Sequence, residues 1–332
     1  MLEWLDISTR ADVAVARQQA RAEARLARLP ADRIENVAIV ATELVTNIVK
    51  YAGSGRFLAQ TMNLPRGPRL ALIACDAGPG IPDIDRMRRD LVSSAESAGI
   101  GLGAIERLSD RAEILTSPEL GTLWACAFEG PGREADETLD VAALRLCHPT
   151  ETVCGDDWRV VEGRSGLRLV LADGMGHGEQ AAEAGTAMAE GAVRPPLAPP
   201  KQQLAKLAED LKRTRGGVVS ILDFDTEAAS CDYANLGNIS GFRLRGVEQT
   251  RFAMRDGYIG SAVARPMGET FDMEPGDFFV LHSDGLRTIG AELLSVLQGR
   301  SCLLAAAFLL SRTDLSRRDD ISVAVARWRP TD

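Results

Sequence analysis

The segment from Gly130 to Glu137 has nothing to bury, and it lies between two long stretches of chain that do. It reads Gly-Pro-Gly-Arg-Glu-Ala-Asp-Glu, a composition typical of linkers between independently folded domains. The chain has 332 residues and 45% of them are apolar, so each side can form its own core. We therefore predict two domains, at residues 1–130 and 139–332, joined by a linker at 131–138.

The charge and the cysteines limit the classes of partner. The chain carries 38 Lys and Arg against 47 Asp and Glu, for a net charge of -9, and an acidic chain repels phosphate backbones. No apolar stretch approaches the roughly 18 residues needed to cross a bilayer. The 6 cysteines form no C-x-x-C pair and are expected to be reduced. We expect a cytoplasmic protein without a nucleic-acid or membrane partner.

The first half contains a helix whose apolar residues recur with a 3.6-residue period from Ile34 to Val49. The sequence Asp32-Arg33-Ile34-Glu35 predicts a capping box at its start. Glu43 and Asn47 are four residues apart and share one face of this helix. An amide oxygen can ligate Mg²⁺ and a carboxylate can polarise a nucleophile, although two polar residues on a helix flank are common without any function.

Two glycine-rich segments follow this helix. A hairpin is predicted from strands at 56–63 and 69–75, and Asp76 ends its second strand, just before Gly78 and Gly80. An Asp at a strand end is a suitable acceptor for an adenine amino group, and the glycines allow a ligand to approach the backbone. Next, Gly99-Ile100-Gly101-Leu102-Gly103 precedes a helix that we expect to start near Leu102. Glycines at a helix N-terminus expose N–H groups that can bind phosphate.

The order of these motifs, with Gly121-Thr122 opening the last strand of the domain, resembles the GHKL ATPase family. The phrase Ala41-Thr42-Glu43-Leu44-Val45-Thr46-Asn47 is most similar to the serine kinases that act as bacterial anti-sigma factors and stress switches. The resemblance covers about residues 5–128 and implies a Bergerat α/β sandwich that binds ATP and Mg²⁺, with residues 82–98 as a lid. It implies the following roles: Glu43 as catalytic base, Asn47 as Mg²⁺ ligand, Asp76 as adenine acceptor, and Gly78, Gly80, Gly99, Gly101, Leu102, Gly103 and Thr122 as nucleotide-binding residues.

The second half is rich in predicted strands and carries acidic residues at strand ends. Strands are predicted at 160–162, 167–172, 218–224, 230–234, 241–244, 278–282 and 321–326, and helices at 179–190, 202–213 and about 291–310. The acidic sites are Asp156-Asp157, Asp173-Gly174, Asp284-Gly285 and Asp319-Asp320. Carboxylates that converge in this way repel one another unless hard cations lie between them. Two such ions about 4 Å apart can activate water against a phosphoester.

This ordered set resembles the metal-dependent protein phosphatase (PPM) family, in its bacterial sporulation and stress-response branch, over about residues 144–328. The resemblance implies an αββα sandwich after the first α/β domain and two Mn²⁺ or Mg²⁺ ions. It implies that Asp156, Asp173, the Gly174 carbonyl, Asp284 and Asp319 bind the metals and that Asp157 and Asp320 support them. The sequence leaves open which member of each adjacent pair is the ligand.

The two resemblances together predict a bifunctional protein that phosphorylates and dephosphorylates Ser or Thr on one regulatory partner, either a STAS-domain protein or an anti-sigma antagonist. Two alternatives stay open: the first domain binds ATP or a signalling partner without catalysis, or it senses nucleotide and gates the phosphatase. A histidine kinase is disfavoured because the only histidines, His148, His177 and His282, lie in the second half. Related kinase domains often pair, so a homodimer is possible, but no feature of the sequence indicates an interface.

Overall fold

The structure is a computed structural model that describes residues 2–81, 100–132, 138–261, 264–286, 290, 294–313 and 319–329. The chain divides into two compact units, one of them Glu3–Glu134 and the other formed mainly by Ala135–Asp332. Most of the predicted linker, the proposed lid at 82–98 and Gly99 lie outside the described residues, so the domain limits stay a prediction. Among the described residues, no helix is long and apolar enough to cross a membrane.

The first unit is an antiparallel sheet with helices on one face. Its strands pair in the order β1-β2-β3-β5-β4. Its elements are β1 Leu5–Ile7, α1 Asp12–Leu26, α2 Ala31–Asn47, β2 Gly55–Leu64, β3 Gly67–Asp76, α3 Ile100–Leu108, β4 Arg111–Ser117 and β5 Gly121–Glu129.

Small side chains let the helices of this unit lie close to one another and to the sheet. Ala16, Ala20 and Ala24 recur every four residues along α1, so they form one buried face of that helix. The core also takes in Leu44 from α2 and Trp124 from β5. This packing of helices on one face of a sheet confirms the predicted α/β sandwich.

The predicted capping box of α2 is wrong. The helix begins at Ala31, and its N-cap Pro30 is extended, with φ -66° and ψ 162°. Because the helix begins at Ala31, just after Pro30, Asp32 lies inside the first turn and not at the N-cap. Its carboxylate there complements the helix dipole. At the other end, a π-helical turn at Ile48–Ala52 continues directly from Asn47 and ends at Gly53, whose φ is +78°.

The second unit is a sandwich of two antiparallel sheets between helices. The sheets have the orders β13-β10-β9-β8-β7 and β12-β11-β14-β15-β6. Its elements are β6 Leu139–Leu146, β7 Asp156–Glu162, β8 Leu167–Gly174, α4 Glu179–Ala192, α5 Pro200–Asp210, β9 Gly217–Asp225, β10 Ser230–Leu236, β11 Ser240–Arg245, β12 Glu248–Arg251, β13 Met267–Asp272, β14 Phe278–His282, a 3₁₀ turn Ser295–Leu297, α6 Cys302–Ser311 and β15 Ile321–Trp328.

Alternate side chains of the strands point to opposite faces of each sheet, and each face packs against a neighbouring layer. On β8, Val170 and Ala172 face the core that α4 and α5 complete. The two sheets meet through aromatic side chains, for example Phe224 of β9 and Phe279 of β14, whose ring centroids lie 5.3 Å apart. On the outside of the second sheet lies α6, which is apolar all round and buried along its length. The predicted αββα sandwich is therefore confirmed.

The helix predicted at about 291–310 is wrong as a single element. Among the residues described there, a short 3₁₀ turn at Ser295–Leu297 is separated from α6 by Gly299, whose φ is +72°. The hydroxyl of Ser301 then caps α6 by accepting a hydrogen bond from the Leu304 N–H at 3.2 Å. A left-handed glycine followed by a serine N-cap ends one element and starts another, and this signal could have been read from the sequence.

Candidate functional site

A pocket of about 300 Å³ in the first unit brings the motifs of the first half together. Its lining comes from α2, the π-helical turn, the end of β3, the start of α3 and the start of β5. The predicted site residues that line it are Glu43, Asn47, Asp76, Gly80, Gly101, Leu102 and Thr122. The predicted Gly78 and Gly103 are described but do not line it. Side chains that are distant in sequence therefore share one cavity of a size suited to a small ligand.

The carboxylate of Glu43 lies directly over Gly101 of α3. A Cβ atom added to Gly101 would lie 2.6 Å from Glu43 Oε2, so a side chain at 101 would displace this carboxylate. Glu43 and Asn47 are both partly buried, and both line the pocket as their shared helix face predicts. Steric crowding by Glu43 thus explains why position 101 is a glycine, whether or not a phosphate binds there.

Asp76 is a half-buried hydrogen-bond acceptor at the end of β3. Its Oδ1 accepts a hydrogen bond from the Gly78 N–H at 2.9 Å. Burial raises the pKa of this carboxyl, while the backbone N–H groups of Gly78 and Thr122 oppose the rise. A partly desolvated carboxyl in a pocket is suited to a ligand that donates a hydrogen bond, such as an exocyclic amino group.

Glycines also allow the chain segments around Asp76 to pass closely. Gly121 has φ +74°, and a Cβ added there would lie 2.0 Å from the carbonyl oxygen of Asp76. The loop after Asp76 is tied to β4, since the Ile81 N–H donates to Thr116 Oγ1 at 2.9 Å. Thr116 Oγ1 in turn lies 3.1 Å from Thr122 Oγ1. The Gly121-Thr122 pair is thus part of the wall that holds Asp76.

The position of the glycine-rich segment differs from the sequence prediction. Helix α3 is already formed at Ile100, so Gly101 and Gly103 lie in the helix and not in a loop before it. Sequence reasoning also missed Lys50 and Tyr51, which line the same pocket from the π-helical turn. The Lys50 Nζ lies 4.9 Å from the centre of the Tyr51 ring. Their signal was the basic and aromatic pair one turn beyond Asn47.

In the second unit, four of the predicted metal ligands converge although they come from distant strand ends. Asp156 and Asp173 are paired residues on the antiparallel strands β7 and β8. Burial, together with the nearby carboxylates of Asp156, Asp284, Asp319 and Asp320, raises the pKa of Asp173 to about 9. Such mutual influence requires these groups to lie close together.

Asp156 is the most deeply buried member of the group. Its exposed fraction is 1%, and neither carboxylate oxygen meets a hydrogen-bond partner among the described residues. Burial raises its pKa to about 7, opposed by the neighbouring hydroxyls of Ser283 and Ser322, which approach without reaching hydrogen-bonding geometry. Buried, unpartnered carboxylate oxygens facing other carboxylates form the donor set that a hard divalent cation satisfies.

Asp157 and Asp320, the sequence neighbours of Asp156 and Asp319, interact with other groups of the protein. Asp157 forms ion pairs with Arg145 at 2.8 Å and with Arg159 at 2.6 Å. Asp320 accepts hydrogen bonds from the backbone N–H groups of His148 at 2.7 Å and Gly155 at 2.8 Å. Both oxygens of Asp157 and both of Asp320 therefore already have donors, whereas those of Asp156 have none among the described residues.

The fifth predicted ligand, Gly174, also lies at this site beside Asp173. Gly174 ends β8, and a Cβ added to it would lie 2.0 Å from the Ala181 carbonyl oxygen of α4, so only glycine fits there. Asp284 follows β14 and accepts a hydrogen bond from Asn238 Nδ2 at 2.7 Å. No role for Asn238 was predicted, and its signal was the Gly-Asn turn after a strand.

Comparison with known proteins matches both halves. Residues 8–127 match the family described as Histidine kinase-like ATPase domain, and residues 163–329 match the family described as Stage II sporulation protein E (SpoIIE). Serine/threonine-protein kinase RsbT of Bacillus subtilis (strain 168) is 33% identical over 123 residues, which are 37% of this chain and 86% of RsbT. Phosphoserine phosphatase RsbX of the same organism is 24% identical over 191 residues, which are 57% of this chain and 94% of RsbX.

The solved structures agree on the fold of the second unit. A crystal structure of RsbX in complex with magnesium superimposes with a TM-score of 0.53 and 22% identity, over 59% of this chain and 98% of that chain. At this level of identity the likeness concerns the fold alone.

Proposed function

Since this chain belongs to the SpoIIE family and carries a histidine kinase-like ATPase domain ahead of the SpoIIE region, we propose that it is a metal-dependent serine/threonine protein phosphatase joined to a serine/threonine kinase. Both activities would act on a regulatory protein in a bacterial stress or sigma-factor pathway. The single observation that carries the phosphatase proposal is the convergence of Asp156, Asp173, Asp284 and Asp319 in one acidic site, with Asp156 buried.

The residues of this site would divide the work. Asp156, Asp173, Asp284, Asp319 and the Gly174 carbonyl would hold two Mg²⁺ or Mn²⁺ ions, which supply Lewis acidity and water activation for phosphoester hydrolysis. Asp157 and Asp320 would instead fix the geometry. Asp157 is held by Arg145 and Arg159, and Asp320 fastens the segment before β7 through two backbone N–H groups. Asn238 would orient the Asp284 carboxylate.

The phosphatase is tested by hydrolysis of a phosphoserine peptide with Mn²⁺ or Mg²⁺. Asp173→Asn is expected to abolish turnover, because this residue faces Asp156 at the centre of the acidic site. Asp256→Asn is the matched control, since Asp256 is an exposed carboxylate of the same unit. Full activity of the Asp173→Asn protein would overturn the phosphatase proposal.

The pocket of the first unit would bind ATP and Mg²⁺. Asp76 would accept a hydrogen bond from the adenine amino group and Asn47 would contribute an amide oxygen to Mg²⁺, while Glu43 would accept the proton of the attacking Ser or Thr. The support is that these three residues line one cavity and that a similar protein is named a serine/threonine kinase. Gly80, Gly101, Leu102 and Thr122 would form the walls and phosphate contacts. Gly78 would hold Asp76 through its N–H, and Gly99 and Gly103 would belong to the phosphate-binding segment.

The kinase is tested on a STAS-domain or anti-sigma antagonist protein with ATP. The Asp156→Ala protein, in which the phosphatase is silenced, should transfer phosphate to the partner, and the Glu43→Ala protein should only remove it. If the partner gained no phosphate with the Asp156→Ala protein under conditions where ATP binds, the kinase proposal would be overturned. The phosphatase proposal would be unaffected.

A second candidate is that the first unit binds ATP without catalysis and gates the phosphatase. The observation that favours it is that the cavity and its acceptor Asp76 would be available to a nucleotide whatever Glu43 does. Phosphatase turnover that changes with ATP, and no longer does so in Asn47→Ala, would support gating. We also propose, for the protein as a whole, a cytoplasmic location and the ability to form a homodimer.

A further inference from the structure

Three side chains that can ligate metals lie together outside the acidic site. His148 and Glu151 come from the segment between β6 and β7, and His177 comes from the loop that joins β8 to α4. Each offers one ligand atom, and these atoms lie within 4.8 Å of one another. We name these three residues the histidine cluster. Two of the three histidines of the whole chain are therefore in one place.

The rings of the histidine cluster are already oriented by hydrogen bonds. The two imidazoles stack with their centroids 4.5 Å apart and an angle of 11° between their planes. His148 Nδ1 lies 2.9 Å from Thr150 Oγ1, and His177 Nδ1 lies 2.7 Å from Glu151 Oε1. In His148 this contact fixes the plane of the ring and leaves Nε2 for a ligand, as metal-binding histidines generally require. In His177 the contact is with another member of the cluster, and a bound ion would replace it.

The two segments that carry the cluster are also fixed. The His148 N–H donates to Asp320 at 2.7 Å, and Arg215 Nε donates to the Met175 carbonyl at 2.7 Å. Gly178 has φ +82°, and a Cβ added there would lie 3.1 Å from Glu151 Oε2, so the glycine makes room for this carboxylate. The cluster is thus held by the fold on both sides and is not a chance meeting of mobile side chains.

We propose that His148, Glu151 and His177 form a binding site for one borderline divalent ion, best Zn²⁺, beside the acidic site. Two imidazoles and one carboxylate form the donor set of many zinc sites, whereas Mg²⁺ prefers oxygen ligands alone. Zn²⁺ lies about 2.0–2.2 Å from such ligands, so the stacked rings must tilt to bring their nitrogens closer. His177 is exposed, which leaves a fourth position open to water or to a phosphate oxygen.

The site is tested by calorimetric titration of the full chain with Zn²⁺ in an excess of Mg²⁺, which occupies the acidic site. One Zn²⁺ ion should bind. Affinity should fall roughly tenfold or more in each of His148→Gln, His177→Gln and Glu151→Gln. It should persist in the matched control Glu179→Gln, an exposed carboxylate at the start of α4. Thermal unfolding by circular dichroism checks that each variant is folded.

Two further variants make the assignment specific. Asp284→Asn and Cys147→Ser should both retain Zn²⁺ binding, because they alter the acidic site and a buried group of Cys147, Cys154 and Asp320. Loss of binding in Asp284→Asn, with retention in the histidine variants, would place the ion at the acidic site and overturn the proposal. Loss only in Cys147→Ser, or no binding to the unaltered chain, would overturn it equally.

Discussion

Asp156 and Asp173 lie directly opposite each other on the antiparallel strands β7 and β8. Two carboxylates in this position, one of them buried with no hydrogen-bond partner among the described residues, repel each other and are poorly solvated. Divalent cations between them would remove both penalties. The folded second unit is therefore expected to depend on metal for part of its stability as well as for its activity.

Metal binding should raise the stability of the second unit, and Asp173→Asn should remove this effect. Because the substitution replaces a carboxyl that is costly to ionise in the folded state with a neutral amide, the variant without metal should be more stable than the unaltered protein without metal, by about 1–3 kcal/mol. Urea unfolding with Mg²⁺ and with a chelator measures both quantities. Equal stabilisation of the two proteins by Mg²⁺ would contradict the role of Asp173.

The stability difference between Asp173→Asn and the unaltered protein should depend on pH when metal is absent. The pKa of Asp173 is raised from 3.8 to about 9, so ionising it costs more in the folded than in the unfolded state. The penalty is absent below the unfolded pKa and grows as the pH rises towards the folded pKa. The advantage of the variant should therefore increase between pH 4 and about pH 9. A constant difference across this window would be inconsistent with the buried acidic site.

Asp156 and Asp157 are neighbours with different predicted effects. Asp156→Asn should lose Mg²⁺ affinity and activity, because its unpartnered oxygens face the acidic site. Asp157→Asn should instead destabilise the fold by about 2 kcal/mol, since it leaves Arg145 and Arg159 without their shared carboxylate. Calorimetry with Mg²⁺ and urea unfolding distinguish the two effects, and the reverse pattern would exchange the assignments.

Asn238→Ala should weaken the acidic site without removing a ligand. Its side chain donates to Asp284 Oδ2 at 2.7 Å, and loss of such support typically lowers metal affinity by about 10–100-fold. Asn63→Ala is a suitable control, because Asn63 is exposed in the other unit. If Mn²⁺ affinity were the same in both variants, Asn238 would have no role in positioning Asp284.

Gly101→Ala should impair nucleotide binding more than it impairs folding. The added methyl group would lie 2.6 Å from Glu43 Oε2, so the carboxylate must move within the pocket. ATP affinity should fall roughly tenfold, with a change in unfolding free energy below about 1 kcal/mol. Gly290→Ala is the matched control, since a Cβ there meets no atom of the described part of the chain within 4 Å. Unchanged ATP affinity in Gly101→Ala would show that the carboxylate moves without effect.

The parts of the fold that follow from local patterns could be predicted from the sequence. The α2 period, the hairpin of β2 and β3 and the Asp-Gly strand ends led to the correct sandwiches and families. Strand β6 was missed, because its Ala and Leu residues have little β propensity. Its eight-residue pairing with β15 comes from tertiary context, which single-sequence patterns do not contain.

The details of the acidic site depended on partners that are distant in sequence. No local signal separates Asp156 from Asp157, since the difference lies in two arginines on β6 and β7 that pair with Asp157. Asp284 and Asn238 are 46 residues apart, so no local signal links them either. The residues of the histidine cluster are likewise brought together only by the fold. The metal and nucleotide roles of these residues stay predictions.

Anomalous diffraction from crystals grown with Mn²⁺ tests the central claim most directly. The account predicts two peaks about 4 Å apart, enclosed by the carboxylates of Asp156, Asp173, Asp284 and Asp319. Crystals that diffract well and bind Mn²⁺ only elsewhere, or that show these carboxylates turned away from one another, would contradict it.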